Sequence, residues 1–180
     1  MKLSKPILIA SMVVGLSCTV QADDTKKFSG LYLGGQIGYV DVGPTDGFGF
    51  GGYFGGRYQT DSNLVFGAEL DLVGTRAGDG VGVFSLLGTV GVATGQQKDT
   101  LFYLGGGLAS GLGLDDIPGF NLLGTDDGFT IVGGFERALK GGWRWRLQGK
   151  YVDFTSDGAD PDIESNATGL SVTTGISYQF

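Results

Sequence analysis

The residues able to do chemistry in this chain are few. Arg57, Glu69, Asp71, Glu136, Arg146 and Lys150 stand as isolated charges in apolar or glycine-rich stretches. Glu69 and Asp71, two apart, have the spacing of a carboxylate pair that can share general acid–base work when one member is held protonated. The chain contains no histidine, which excludes a Ser–His relay and histidine metal ligation. Its one cysteine, Cys18, falls in an amino-terminal leader, so the mature chain has neither a thiolate ligand nor a disulfide. Gly47, Gly49 and Gly52 satisfy G-x-G-x-x-G but lie in an alternating aromatic stretch rather than at a strand-to-helix turn, and the dinucleotide reading fails. No cofactor, metal site or catalytic residue is expected. Membership in an interior salt-bridge network accounts for the carboxylates far better than catalysis does.

The elements that hold these charges are strands. Leu170 to Phe180 reads LSVTTGISYQF, with Leu170, Val172, Thr174, Ile176, Tyr178 and Phe180 on one mostly apolar face and Ser171, Thr173, Gly175, Ser177 and Gln179 on the other. Period two is the strand signature, and about 9–11 residues suffice for a tilted strand to cross a bilayer. Seven earlier segments repeat the pattern: Leu31 to Val40, Phe48 to Tyr58, Leu64 to Val73, Val81 to Thr94, Leu101 to Ser110, Gly128 to Ala138 and Trp143 to Phe154. In the fifth, glycines blur the two faces. Short turns are expected at Thr60–Asn63, Gly95–Thr100 and Lys140–Gly142. Longer connections are expected after strands one, three, five and seven, the first holding Gly43-Pro44 and Asp46-Gly47. The charges share a face with the glycines while the aromatic face carries almost none. A soluble ligand-binding barrel would reverse that polarity. The expected fold is therefore all-β, an eight-stranded antiparallel transmembrane barrel with alternating short and long connections.

The composition agrees. The chain opens MKLSKPILIASMVVGLSCTVQA, with Lys2 and Lys5 before an apolar run and Val20-Gln21-Ala22 as a cleavage site. Residues 1–22 read as a secretory signal peptide and 23–180 as the barrel domain. Gly15 and Leu16 fit poorly before a lipidated cysteine, so Cys18 is not read as a lipid anchor. Glycine supplies 36 of 180 residues, far above the usual ~7%, and the aromatic content argues against disorder. The full chain carries net −7, and loss of Lys2 and Lys5 makes the mature chain more acidic. That balance excludes nucleic acid as a partner.

FSGLYLGGQIGY (Phe28 to Tyr39), DGFTIVGGFERAL (Asp127 to Leu139) with WRWRLQGKYVDF (Trp143 to Phe154), and the terminal Tyr178-Gln179-Phe180 resemble the small porin-like, opacity-type outer-membrane barrels, OmpA-like transmembrane barrels without a periplasmic domain. The resemblance spans Phe28 to Phe180. Phe28 and Phe129 stand where the family often has Trp, Arg137 where it has Tyr, and Gln148 where an acidic residue is common. The resemblance implies an integral protein in the outer membrane of a diderm bacterium, with its longer loops extracellular and a structural or surface-interaction role in envelope integrity and adhesion. It also implies Tyr178 and Phe180 as the signal read by the barrel-assembly machinery. Outer-membrane lipid, lipopolysaccharide and a host or surface ligand are the implied partners. Barrel-borne lipid A deacylases, palmitoyl transferases and omptin-like proteases resemble one another in needing a histidine, which this chain lacks. The alternative function is a narrow porin-like channel for ions or small solutes.

With Lys140 to Gly142 as the turn, Leu139 pairs with Trp143 and Glu136 falls across from Arg146, both inward. A register slip would turn the basic residues to lipid, at roughly 2–4 kcal/mol each at the midplane. Arg57, Glu69, Asp71, Glu136, Arg146 and Lys150 are expected to form a charge plug, with Glu136 and Arg146 as a pair. The loops carry a second signal. Asp115, Asp116, Asp126 and Asp127 lie in Gly111 to Asp127, and Asp157, Asp160, Asp162 and Glu164 in Thr155 to Asn166, with no basic residue in either. Such a field attracts divalent cations and repels anionic polymers. Deleting Phe180 is expected to lower the fraction of chain recovered as heat-modifiable barrel in outer-membrane fractions. Normal recovery of the truncated chain would show that Phe180 is not the assembly signal.

Overall fold

A computed structural model describes residues 26–42, 45–75, 81–113, 127–154 and 167–180. Its strands are β1 (Gly30–Val42), β2 (Thr45–Gln59), β3 (Leu64–Thr75), β4 (Val81–Thr94), β5 (Thr100–Gly113), β6 (Asp127–Ala138), β7 (Trp143–Phe154) and β8 (Ala167–Gln179). Each pairs antiparallel with its sequence neighbour, and β8 closes on β1, giving one barrel of eight strands. Tyr32 stands opposite Gln179, and the Phe180 N–H donates to the Leu31 carbonyl at 2.9 Å, so the last strand is sealed to its end. Lys140–Gly142 forms a single 3-10 turn in which Gly141 and Gly142 take φ of 70° and 80°. Side chains rarely adopt those values, so the Gly-Gly pair is what allows the tight reversal.

Alternation holds on every strand. Leu33, Ile37, Phe54, Leu70, Leu86, Ile131 and Val172 stand exposed on the outside, while Gln36, Arg57, Glu69, Asp71, Glu136 and Arg146 are buried inside. On β5, where glycines hid the faces, Phe102, Leu104 and Leu108 point out and Leu101, Tyr103 and Ala109 point in. An apolar band of this extent around a closed barrel suits hydrocarbon rather than water.

The first connection departs from expectation. Only residues 43–44 separate β1 from β2, and Asp46 and Gly47, expected in a loop, continue β2 opposite Asp41 and Val40. Asp46 also accepts a 2.7 Å hydrogen bond from the Tyr39 hydroxyl across the hairpin. Turn-type residues lose to the ladder here because β2 continues to pair with β1 through that point. The gap after β3, 76–80, is also modest, leaving 114–126 and 155–166 as the long connections. Asp115, Asp116, Asp126, Asp157, Asp160, Asp162 and Glu164 lie outside the described residues, as do residues 1–22. Asp127 begins β6 opposite Ser110.

The glycines divide by the face they occupy. At Gly107, facing inward, a Cβ would collide with the Leu86 carbonyl of β4, and at Gly51 with the Leu72 carbonyl of β3. Only glycine lets the backbones approach this closely at such points. Outward Gly88 would meet only the Gly106 carbonyl oxygen, at 3.9 Å. Gly107→Ala is expected to lower unfolding free energy in urea by about 1–3 kcal/mol, and Gly88→Ala to change it by less than about 0.5 kcal/mol. Equal effects would disconnect the inner glycines from barrel curvature.

Candidate functional site: the charged layer inside the barrel

Inward parity on β2, β3, β6 and β7 brings the lumen charges together, and β1 adds Tyr32 and Gln36 among them. Arg57 of β2 donates to Glu136 of β6 at 2.6 Å, with its second terminal nitrogen 3.8 Å from Glu69. Its guanidinium lies between the rings of Tyr32 and Tyr103, at 4.6 and 5.3 Å from their centroids. Arg146 of β7 donates to both oxygens of Glu69, at 2.9 and 2.8 Å, and to Gln36 at 3.1 Å, and packs on Tyr53. Its second terminal nitrogen is 3.6 Å from Asp71. Lys150 donates to Asp71 and, at 3.4 Å, to Ser85. Tyr32 donates to Glu69 at 2.7 Å, Gln36 to Asp71 at 2.5 Å, and Thr173 to Gln36 at 3.0 Å.

Backbone register and ion pairing part company here. Glu136 stands directly across from Arg146, but the two do not form the expected pair. Glu136 reaches Arg57 on the far wall and approaches Arg144 Nε at 3.7 Å, whereas Arg146 takes Glu69. Neighbouring inward side chains run side by side into the lumen. Their long arms end near the barrel axis, where side chains from the opposite wall also arrive.

Arg144 is the cation missing from the sequence-based set. It is buried, donates to the Lys27 carbonyl, and lies 5.1 Å from the centroid of the Phe28 ring. Its parity with Arg146 and Lys150 was the available signal. Tyr32, Tyr53 and Tyr103 also join the layer; parity marks the first two as inward, while Tyr103 lies on β5, where the glycines hid the faces. Gln148, at a position where an acid is common, accepts the Tyr103 hydroxyl at 2.7 Å. Glu69 and Asp71 face inward together, each engaged by cations and by hydroxyl or amide donors.

Apolar layers lie on both sides of the charges. At the end carrying the long connections, Val40, Val73, Val83, Ala109, Val152 and Phe154 pack across the lumen. A cavity of about 10 Å³ between these valines and Lys150 has room for about one water. At the short-turn end Phe28, from the segment before β1, enters a cluster with Val65, Leu87, Ala93, Leu101 and Val132. The Phe28 N–H donates to the Gln59 side-chain oxygen at 3.1 Å, and the Gln59 N–H to the Ser29 hydroxyl at 2.9 Å. These bonds fix the segment in the mouth.

A closed eight-stranded barrel with a lipid-compatible exterior and a self-paired charged interior defines a small outer-membrane β-barrel protein. The family profile of the outer membrane protein beta-barrel domain matches residues 9–180, and the chain belongs to that family. A comparison with curated protein sequences finds no match. Among solved structures the fold is similar to that of Neisserial surface protein A (14% identity, 84% of this chain and 98% of that chain, TM-score 0.55). It is also similar to the outer membrane enzyme PagL (12%, 83% and 99%, 0.54) and to Ail, the attachment invasion locus protein of Yersinia pestis (8%, 84% and 99%, 0.52). At these identities the likeness is one of fold.

Arg146→Glu would place a third carboxylate beside Glu69 and Asp71 and leave Glu69 without its nearest cation. It is expected to lower unfolding free energy by roughly 3–5 kcal/mol, measured by urea titration in vesicles. Arg146→Met, which removes the charge but keeps bulk, is expected to cost less. A midpoint unmoved by Arg146→Glu would show that the layer does not support the barrel.

Proposed function

We propose that this protein is a closed, non-catalytic barrel whose role is structural and interfacial: it stiffens the envelope and presents acidic loops at the cell surface, with adhesion as the interaction those loops serve. The observation that carries the reading is the layering of the lumen, in which charged side chains are paired among themselves and covered by apolar residues on both sides. Arg57, Glu69, Asp71, Glu136, Arg146 and Lys150 act in it as a plug. An eight-stranded barrel is narrow enough to be filled by side chains alone, and a solute path would require ordered apolar packing to open at both ends. Catalysis is disfavoured on chemical grounds. One neighbour of the same fold is an enzyme, but this chain has no histidine, and its inner carboxylates are held in ion pairs away from lipid and solvent.

The short turns and Phe28 face the periplasm in this reading, and the long connections face outward. The leader 1–22 directs export, and Tyr178 and Phe180 address the chain to the assembly machinery. Ail has been crystallised with a heparin analogue. The two long outer segments of this chain, 111–127 with Asp115, Asp116, Asp126 and Asp127 and 155–166 with Asp157, Asp160, Asp162 and Glu164, hold no basic residue and would repel such a polyanion. A neutral or cationic surface suits them, or lipopolysaccharide phosphates bridged by divalent cations.

In planar bilayers the folded protein is expected to show no discrete conductance steps. Regular, voltage-stable steps from the wild-type chain would overturn the closed-barrel reading in favour of a narrow channel.

A further inference from the structure

The short-turn end of the barrel carries an uneven collar of charge. At the β2–β3 turn Lys26 and Asp61 pair at 2.7 Å and offset one another. Around β5, β6 and β7 the balance differs. Arg137 of β6 faces the Asp99 carboxylate, Lys98 precedes Asp99 in the β4–β5 turn and Lys140 lies in the β6–β7 turn, and the end of β6 is tied to the first of these turns by the Ala138 N–H donating to the Asp99 carbonyl at 2.8 Å. Arg137 is the last outward side chain of β6; its side chain is 59% exposed and meets Asp99 at 3.4 Å. An exposed pair of this kind adds little energy, and a guanidinium with five N–H donors retains several for another acceptor.

Next to these cations the outer surface is aromatic. Phe102 and Phe135 lie 6.0 Å apart between ring centroids, and Phe135 and Trp145 lie 5.2 Å apart in an edge-on contact. Trp145 is the cross-strand partner of Arg137, and Trp143 is half exposed beside it. Aromatic rings of this kind settle at the boundary between hydrocarbon and headgroups, which puts the basic side chains at the level of lipid phosphates.

We propose that this sector binds the headgroup of an anionic phospholipid, Arg137 and Lys140 donating to the phosphate while Phe135, Trp143 and Trp145 flank the glycerol and the first carbons of the acyl chains. Three cations against one carboxylate select a lipid with net negative charge over a zwitterionic one, whose own cation would meet the same surplus. The proposal rests on membrane embedding, and uses the orientation proposed above only to name the leaflet as periplasmic.

Trp143 and Trp145 are the only tryptophans in the chain, so intrinsic fluorescence reports on this sector alone. In protein refolded into phosphatidylcholine vesicles, phosphatidylglycerol with brominated acyl chains is expected to quench several-fold more than the same fraction of brominated phosphatidylcholine. The R137Q/K140Q variant is expected to lose that excess, roughly fivefold in lipid preference per basic side chain removed. Heat-modifiable migration verifies that the variant is folded, and K140Q alone, in a turn, supplies the comparison should the double variant fail to refold. Equal quenching by the two lipids, or an excess unchanged in the folded variant, would overturn the proposal. Displacement of the brominated lipid by inorganic phosphate would assign the sector to free phosphate and also overturn it. Conductance from the wild-type protein would sink the closed-barrel reading and leave this result standing.

Discussion

Closure of eight strands is the constraint on which the rest of this molecule depends. A sheet closed at that number has an interior of side-chain width, so every second residue on every strand projects into a space with no reservoir of water. An inward charge must then be matched by another inward charge, because an unpaired one in low dielectric costs several kcal/mol. Closure crowds the inner face, and at the inward Gly51 and Gly107 any side chain would collide with a neighbouring carbonyl. Glycine content and buried charge are thus two consequences of one geometry.

The charges are satisfied across the lumen rather than along the sheet. Arg57 with Glu136 joins β2 to β6, Arg146 with Glu69 joins β7 to β3, and Lys150 with Asp71 joins the same two strands one level further along. Such bridges act as struts between opposite walls, resisting flattening in a way that ladder hydrogen bonds between adjacent strands do not. The flanking apolar layers raise the strength of each bridge by keeping water out. They also set the order in which the interior would have to open, since neither mouth exposes the charges without first unpacking its own layer.

Much of this architecture was legible in the residues because a period of two is unambiguous when one face is apolar and the other carries charge. Val81–Thr94 and Trp143–Phe154 were readable end to end, and the Lys140–Gly142 turn placed Glu136 opposite Arg146 in the backbone. Parity says which face a side chain occupies, but not which of several inward partners a long side chain reaches. That choice depends on distances across the lumen, and so the Glu136–Arg146 pair was expected and Glu136–Arg57 was found. Parity also failed on β5, where glycines at positions 105–107 of the chain removed the side chains that would have marked the faces. At the first hairpin, Asp46-Gly47 looked like turn chemistry because local propensity knows nothing of how far the partner strand extends. Phe28 was noted only as a departure from a tryptophan, since nothing in its neighbours tells that a residue before the first strand turns back into the barrel.

Gln148 shows how the interior tolerates an imbalance. Among the described residues the lumen holds four cations, Arg57, Arg144, Arg146 and Lys150, and three carboxylates, Glu69, Asp71 and Glu136. The amide of Gln148 occupies a position where an acid would have made the sum even, and it serves instead as a neutral acceptor for Tyr103. The surplus does not sit at the centre. Arg57, Arg146 and Lys150 each have a carboxylate at bonding distance, whereas Arg144 keeps only the more distant Glu136 oxygen and turns to the Lys27 carbonyl and the face of Phe28. A carbonyl dipole and an aromatic quadrupole are weaker partners than a carboxylate, but the segment before β1 supplies both at the mouth. The segment that closes the barrel at that end therefore also stabilises the one cation the interior leaves over, so that closing the mouth and accommodating the surplus charge are the same set of contacts.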